Sequence, residues 1–177
     1  DKRTVSRLNS SGAETANASV TFSMPSSSEI TDIDVDNFGN VLVVGNFKGN
    51  MTVGGFSLVG ANSTQYDFFV AKLNGNNTWQ WATKVGNTFY DGAFGVKTDA
   101  AGSGYVTGEI NNYSSFGSIT TTAQGDAFVA KIDPAGTWQW VAHSRVQSGY
   151  ARGYDINVGY DGSIAAIGMS IGRMVFG

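Results

Sequence analysis

The sequence predicts an all-β fold, on three observations. Of 177 residues, 24 are Gly and only 2 are Pro, with Ser, Thr and Asn abundant throughout, which is the composition of short strands joined by tight turns. Hydrophobic residues make up 41% and charged residues 14%. That is enough apolar material for a core and too little charge for a disordered tail or a coiled coil. The third observation is an internal repeat, the first feature to seek because a missed period misreads a whole fold. Residues 69–81, FVAKLNGNNTWQW, return as FVAKIDPAGTWQW at 128–140, and Asp67, Lys72, Trp79 and Trp81 recur 59 residues later as Asp126, Lys131, Trp138 and Trp140.

The match extends upstream. Asp36-Asn-Phe-Gly39 precedes Gly45, Asp99-Ala-Ala-Gly102 precedes Gly108 and Tyr160-Asp-Gly162 precedes Gly168, each with six residues from glycine to glycine. Val53-Gly54, Phe116-Gly117 and Phe176-Gly177 follow at a common offset. The repeat is roughly 60 residues long and reads as four strands. Strand A covers 30–36, 93–99 and 153–159. An Asp-x-x-Gly turn, with glycine supplying a positive φ, reverses it into strand B, VLVVGN, SGYVTGE or SIAAIGM. After a loop, DFFVAKL or DAFVAKI forms strand C, and NGNN or DPAG turns it into strand D, TWQWATK or TWQWVAH. Four antiparallel strands per unit fit one blade of a β-propeller.

The first residues hold a weaker copy. Residues 4–12 align with 128–136, so 4 to about 22 are read as strands C and D without the tryptophans. The chain is thus expected to be one segment, 1–177, of a half blade at 1–29, blades at 30–92 and 93–152, and a half blade of strands A and B at 153–177. Rings of this kind close with about 4 to 8 blades. The expected partners are therefore further blades, from the same longer chain or from a second copy that closes a six-bladed ring.

These repeats resemble those of bacterial β-propeller repeat proteins, whose pattern runs Asp-x-x-Gly-Asn-x-Tyr/Leu-Val-x-Gly, then Phe-Gly, then Asp-x-Phe-Val-Ala-Lys-Leu-Asp-x-x-Gly, then Trp-x-Trp. Residues 36–45, Phe116-Gly117, 126–136 and 138–140 carry the likeness. It spans nearly the whole chain and implies a fold, together with a bacterial secreted or cell-surface setting. It implies no single function, because one fold hosts many.

Several classes are excluded by composition. The formal charge is −3 with no basic cluster, so no nucleic-acid partner is expected. No run approaches the ~18 to 20 apolar residues of a spanning helix, and the chain reads as soluble, without membrane insertion. With no cysteine, disulfides, thiolate zinc sites and a cysteine nucleophile are ruled out together. The opening DKRTVSRLNS has no apolar signal-peptide core, so such a peptide is read as removed or never present. Sequons stand at Asn9, Asn17, Asn50, Asn62, Asn76 and Asn112, several expected by chance in a chain rich in Asn, Ser and Thr.

Candidate sites follow from the residues. Trp79 and Trp81, and Trp138 and Trp140, are two apart in a strand and so are expected side by side on one face, chiefly as packing between blades; stacking on sugar rings is the alternative. Lys72 and Lys131, with Arg7 at the same place, are expected to pair with acidic residues at strand starts such as Asp67 and Asp126. Gly45, Gly108 and Gly168 count as structural positions of the blade. Asp32, Asp34 and Asp36 alternate and invite a calcium reading, but the glycine and glutamate of an EF-hand loop are missing. A solvated strand face ending in an Asp-capped turn is the competing reading. His143 is the only histidine and has no Gly-x-Ser-x-Gly motif to serve. No catalytic residue, metal or other cofactor is expected.

Ligand contacts should lie where the repeats differ, among Phe47, Lys48, Met51, Tyr113, His143, Arg145, Tyr150, Arg152 and Arg173. Of these, Tyr113, His143, Arg145 and Tyr150 are the candidates for a ligand surface. The function expected is a non-catalytic structural or interaction module that binds protein or glycan partners through blade loops. A carbohydrate-binding lectin is the alternative, and an enzyme with a site at the central channel is a third.

Overall fold

The computed structural model describes residues 2–146 and 148–176, with the side chains at 16–18, 22 and 124 outside the described set. The side chain of the sequon residue Asn17, and Gly177 of the last Phe-Gly step, therefore lie outside what is described. The described residues are all-β: seventeen strands, no helix, every pairing antiparallel.

The four strands expected in each full repeat form one sheet. β3 (Glu29–Val35), β4 (Val41–Phe47), β7 (Asp67–Leu73) and β8 (Trp79–Val85) are joined in that order. β9 (Gly92–Thr98), β10 (Gly104–Asn112), β13 (Ala123–Ile132) and β14 (Trp138–Val146) repeat the arrangement. A separate hairpin, β1 (Lys2–Leu8) with β2 (Glu14–Ser23), precedes them, and β15 (Tyr150–Val158) with β16 (Ile164–Ile171) follows. The loop expected between strands B and C holds a small hairpin of its own, β5 (Asn50–Val53) with β6 (Phe56–Val59) and β11 (Ser115–Phe116) with β12 (Ile119–Thr120).

The last Phe step, which in the sequence stands only at a common offset after strand B, forms β17 (Met174–Phe176) and adds a fifth strand to the second sheet, pairing Phe176 with Ser144 and Met174 with Val146. Its counterparts β5 and β11 pair in their own hairpins with β6 and β12, and lie close to β2 and β8, the last strands of the preceding sheets, without a ladder to them among the described residues.

Alternation along strand C assigns the core. Phe69, Ala71 and Leu73 face the β1–β2 hairpin in one cluster with Val5, Val43 and Phe47. Phe68 and Val70 face the second sheet, where Phe128, Ala130 and Ile132 meet them. Phe68 stacks on Phe128 with centroids 5.3 Å apart, and Phe116 and Trp138 close the box edge-on. On the far face of the second sheet Tyr105 and Val129 meet Ile156. Phe47 and Met51, picked from the sequence as non-recurrent loop residues, are buried here.

The two tryptophans of each WQW do not lie side by side. Leu73 pairs with Trp79 but Lys72 pairs with Trp81, so Gln80 is the extra residue of a β-bulge. A bulge breaks the two-residue alternation, and the rings emerge on opposite faces: Trp79 joins the cluster toward β1–β2, Trp81 the cluster toward the second sheet. Ile132 and Lys131 set Trp138 and Trp140 apart in the same manner.

The tight turns share one chemistry. The side-chain oxygen of Asn9, Asp36, Asn74, Asp99 or Asp133 accepts N–H bonds from residues two and four positions on. The residue three on has positive φ: Gly12, Gly39, Asn77, Gly102 and Gly136. These are Asx turns, and Asn77 is the non-glycine type that tolerates the left-handed region. Gly45, Gly108 and Gly168, expected as structural positions of the blade, recur for want of space rather than for a positive φ. A Cβ there would stand 2.1, 2.0 and 2.1 Å from the carbonyl oxygens of Glu29, Gly92 and Arg152 on the adjoining strand A.

Candidate functional site

Several of the charged residues singled out in the sequence fasten one sheet to the next. Asp32 Oδ2 accepts from Val96 N, and Asp34 from Thr98 N, both at 2.8 Å, while Asp34 also holds Lys97 at 2.6 Å. The hydrogen bond to Asp34 raises the Lys97 pKa. Asp36 caps its turn and lies 3.4 Å from Lys72. Burial works to raise its pKa, but bonds from Asn40 and Phe38 and the charge of Lys72 leave it lowered. All three carboxylates of the calcium reading are therefore engaged by protein donors. Among the described residues no group of three His, Asp or Glu side chains gathers to hold a metal.

The lysine partners differ from expectation. Lys72 pairs with Asp36 and Lys131 with Asp99, 3.2 Å away. Asp67 and Lys72 stand at opposite ends of one strand, about 17 Å apart at 3.4 Å per residue, so strand length forbids the expected pair. Asp67 instead holds Lys84 and Ala61 N, and Asp126 accepts from Val146 N. Arg7 donates to Asn77 Oδ1, Gly39 O and Asn74 O, and Lys72 to Gly102 O, each crossing to the next sheet.

His143 and Arg145 line one cavity of about 210 Å³ with Thr122, Asp126 and Val146. The ring Nδ1 is 3.3 Å from Asp126 Oδ2 and 2.8 Å from Ser144 O. Ser144 Oγ is fully buried; it donates to Asp126 and accepts from Ala127 N, so it does not address the imidazole. Tyr113 and Tyr150 lie outside this cavity, both exposed.

A second assembly carried no sequence signal, because its residues do not recur. The buried Asp91 joins two loops: Oδ1 accepts from Asn111 N and Ser114 Oγ, Oδ2 from Asn87 N. Desolvation pushes its pKa up to about 6. The loops it ties present Phe89 and Tyr113, 51% and 67% exposed. Beside them runs a row in which Lys48 caps the Tyr66 ring, Tyr66 meets Tyr90 edge-on, and Arg152 lies between Tyr90 and Phe94 while pairing with Glu109.

An open strand edge with exposed apolar side chains lies at the β15–β16 hairpin. β4 and β10 are each covered on their second edge by strand C, whereas β16 pairs with β15 alone among the described residues. Ile164, Ile167 and Ile171 are exposed along it, and Val175 and Phe176 beside it. Cavities of about 360 and 340 Å³ open there. No protein-family model matches the chain, and no curated protein sequence matches it.

Proposed function

We propose that the chain is a three-blade segment of a β-propeller, serving as a non-catalytic structural or interaction module of a bacterial secreted or cell-surface protein. It takes further blades at its open ends, from the same longer chain or a second copy, and binds protein or glycan partners through its loops. One observation carries this reading: two sheets of identical strand order stack face to face, and a third begins the same order and leaves its strand B uncovered. Four-stranded antiparallel sheets stacked in this way are the unit of a propeller. The non-catalytic part is supported by the structural bonds that occupy the acidic residues and the one histidine. The bacterial and surface setting rests on the repeat resemblance alone.

Small-angle scattering with native mass measurement tests the reading. An arc of radial sheets, or a ring with a hollow axis, is the expected shape; a flat two-layer sandwich would overturn it.

The lectin reading has one observation of its own, the exposed Phe89 and Tyr113 on loops fastened to each other by Asp91. Aromatic faces of this kind can stack on sugar rings. Selective binding on a glycan array, abolished by Tyr113→Ala and by Phe89→Ala, would favour it over a protein partner.

A further inference from the structure

Resting on the reading of the chain as a run of repeated sheets, we infer that the open edge of β16 is a docking slot for an added β-hairpin whose first strand carries Phe, Ala, and Leu or Ile at alternate positions. The chain itself displays two filled versions of this slot. β7 sets Phe69 opposite Gly45, Ala71 opposite Val43 and Leu73 opposite Val41. β13 sets Phe128 opposite Gly108, Ala130 opposite Val106 and Ile132 opposite Gly104. In the same register β16 offers Gly168, Ala166 and Ile164, with the edge unpaired. An unpaired edge is a template for a further strand, and pockets for alternate side chains set which strand it accepts.

The pockets are present. The cavity of about 360 Å³ holds Gly168 and Ala166 on one wall and Ala127 and Phe176 on the others. Ala127 is the counterpart of Phe68, which stacks on Phe128 in the filled interface. An aromatic ring opposite Gly168 therefore has more room than Phe128 has. The adjoining cavity of about 340 Å³, lined by Val129, Trp140, Ala142 and Ile164, suits the aliphatic residue.

Complementarity decides against the β1–β2 hairpin of a second copy as occupant. By alignment with Phe128, Ala130 and Ile132, β1 would bring Thr4, Ser6 and Leu8. Thr4 and Ser6 face solvent in a hydroxyl ladder, bonded to Thr21 at 3.1 Å and to Ser19 at 2.8 Å. Leu8 would suit the aliphatic cavity, but Thr4 would leave the aromatic pocket beside Gly168 empty and Ser6 would set a hydroxyl against Ala166.

The test is fluorescence anisotropy of the 177-residue chain with a labelled peptide of the sequence of residues 126–143. Saturable binding is expected, weakened roughly tenfold or more by Phe128→Ser in the peptide. Ala166→Trp in the protein should abolish binding, since Ala166 lines both cavities and is exposed in the free chain. A peptide of residues 4–20 should fail to compete. Equal binding by that peptide, or a concentration-dependent dimer that Ala166→Trp disrupts, would overturn the inference in favour of a second copy.

Amide hydrogen exchange separates the two levels of failure. Protected ladders in both four-stranded sheets without peptide binding overturn the slot alone. Unprotected ladders remove the stacked-sheet reading as well.

Discussion

The indole of Trp81 donates to the carbonyl oxygen of Pro134 at 3.0 Å, so a ring from the first four-stranded sheet closes over a turn of the second. Gly136 lies beneath it with φ of +89°, where a Cβ would come within 2.8 Å of the ring. Gly136→Ala is expected to cost roughly 2 to 3 kcal/mol, from left-handed strain and displacement of the indole. Trp81→Phe should cost about 1 kcal/mol for the lost bond. Urea denaturation of both single variants and the double checks this, and the two losses should be less than additive because they share one contact.

Two glycines six sequence positions apart should respond differently to the same change. Gly39 has φ of +76° and open space around it. Gly39→Ala should therefore cost only about 1 to 2 kcal/mol of conformational strain. Gly45→Ala must push its Cβ off Glu29 O, 2.1 Å away, and off the Phe69 ring. A loss beyond roughly 3 kcal/mol, or failure to accumulate folded protein, is expected. Similar melting temperatures for the two variants would contradict the role given to Gly45.

Asp91 gives a pH dependence whose sign can be worked out. Burial pushes the pKa of its carboxyl up to about 6 in the folded chain, from an ordinary 3.8. The folded state thus holds the proton more tightly than the unfolded one, and stability is lost as pH rises through that window. Two units correspond to on the order of 3 kcal/mol. Thermal melts from about pH 4 to pH 7 should show this decline in the native chain and a flatter profile in Asp91→Asn. Asp36, held below its ordinary range, acts with the opposite sign and weakens the fold only in stronger acid.

The acidic row of β3 should serve adhesion between sheets. Asp34→Ala removes the acceptor of Thr98 N and the partner of Lys97. A loss of roughly 2 kcal/mol is expected for the bonds left unmade. Added calcium or a chelator should leave the melting point of the native chain unchanged. A calcium-dependent rise that disappears in Asp34→Ala would restore the metal reading.

What was legible in the sequence is what is local or repeated. The Asx turns at Asp36, Asp99 and Asp133 announce themselves within five residues, and the 59-residue register carries the strands with them. Gln80 illustrates the other case: nothing in WQW reveals that it is the surplus residue of a bulge, and that single insertion turns a paired aromatic face into two opposed ones. The true partner of Lys72 depended on which end of strand C lies beside the β3–β4 turn, a fact of sheet geometry. Asp91, Asn87 and Ser114 form a connection across separate loops with no counterpart among the other described residues, so no period could mark it.

Arg7, Asp34, Asn46, Lys72 and Trp81 all reach toward the sheet that follows their own. The fastenings therefore travel with the unit that uses them. A stretch of gene encoding one sheet, copied in frame, would deliver a module already equipped to grip its successor, and the array could lengthen before any new residue was selected.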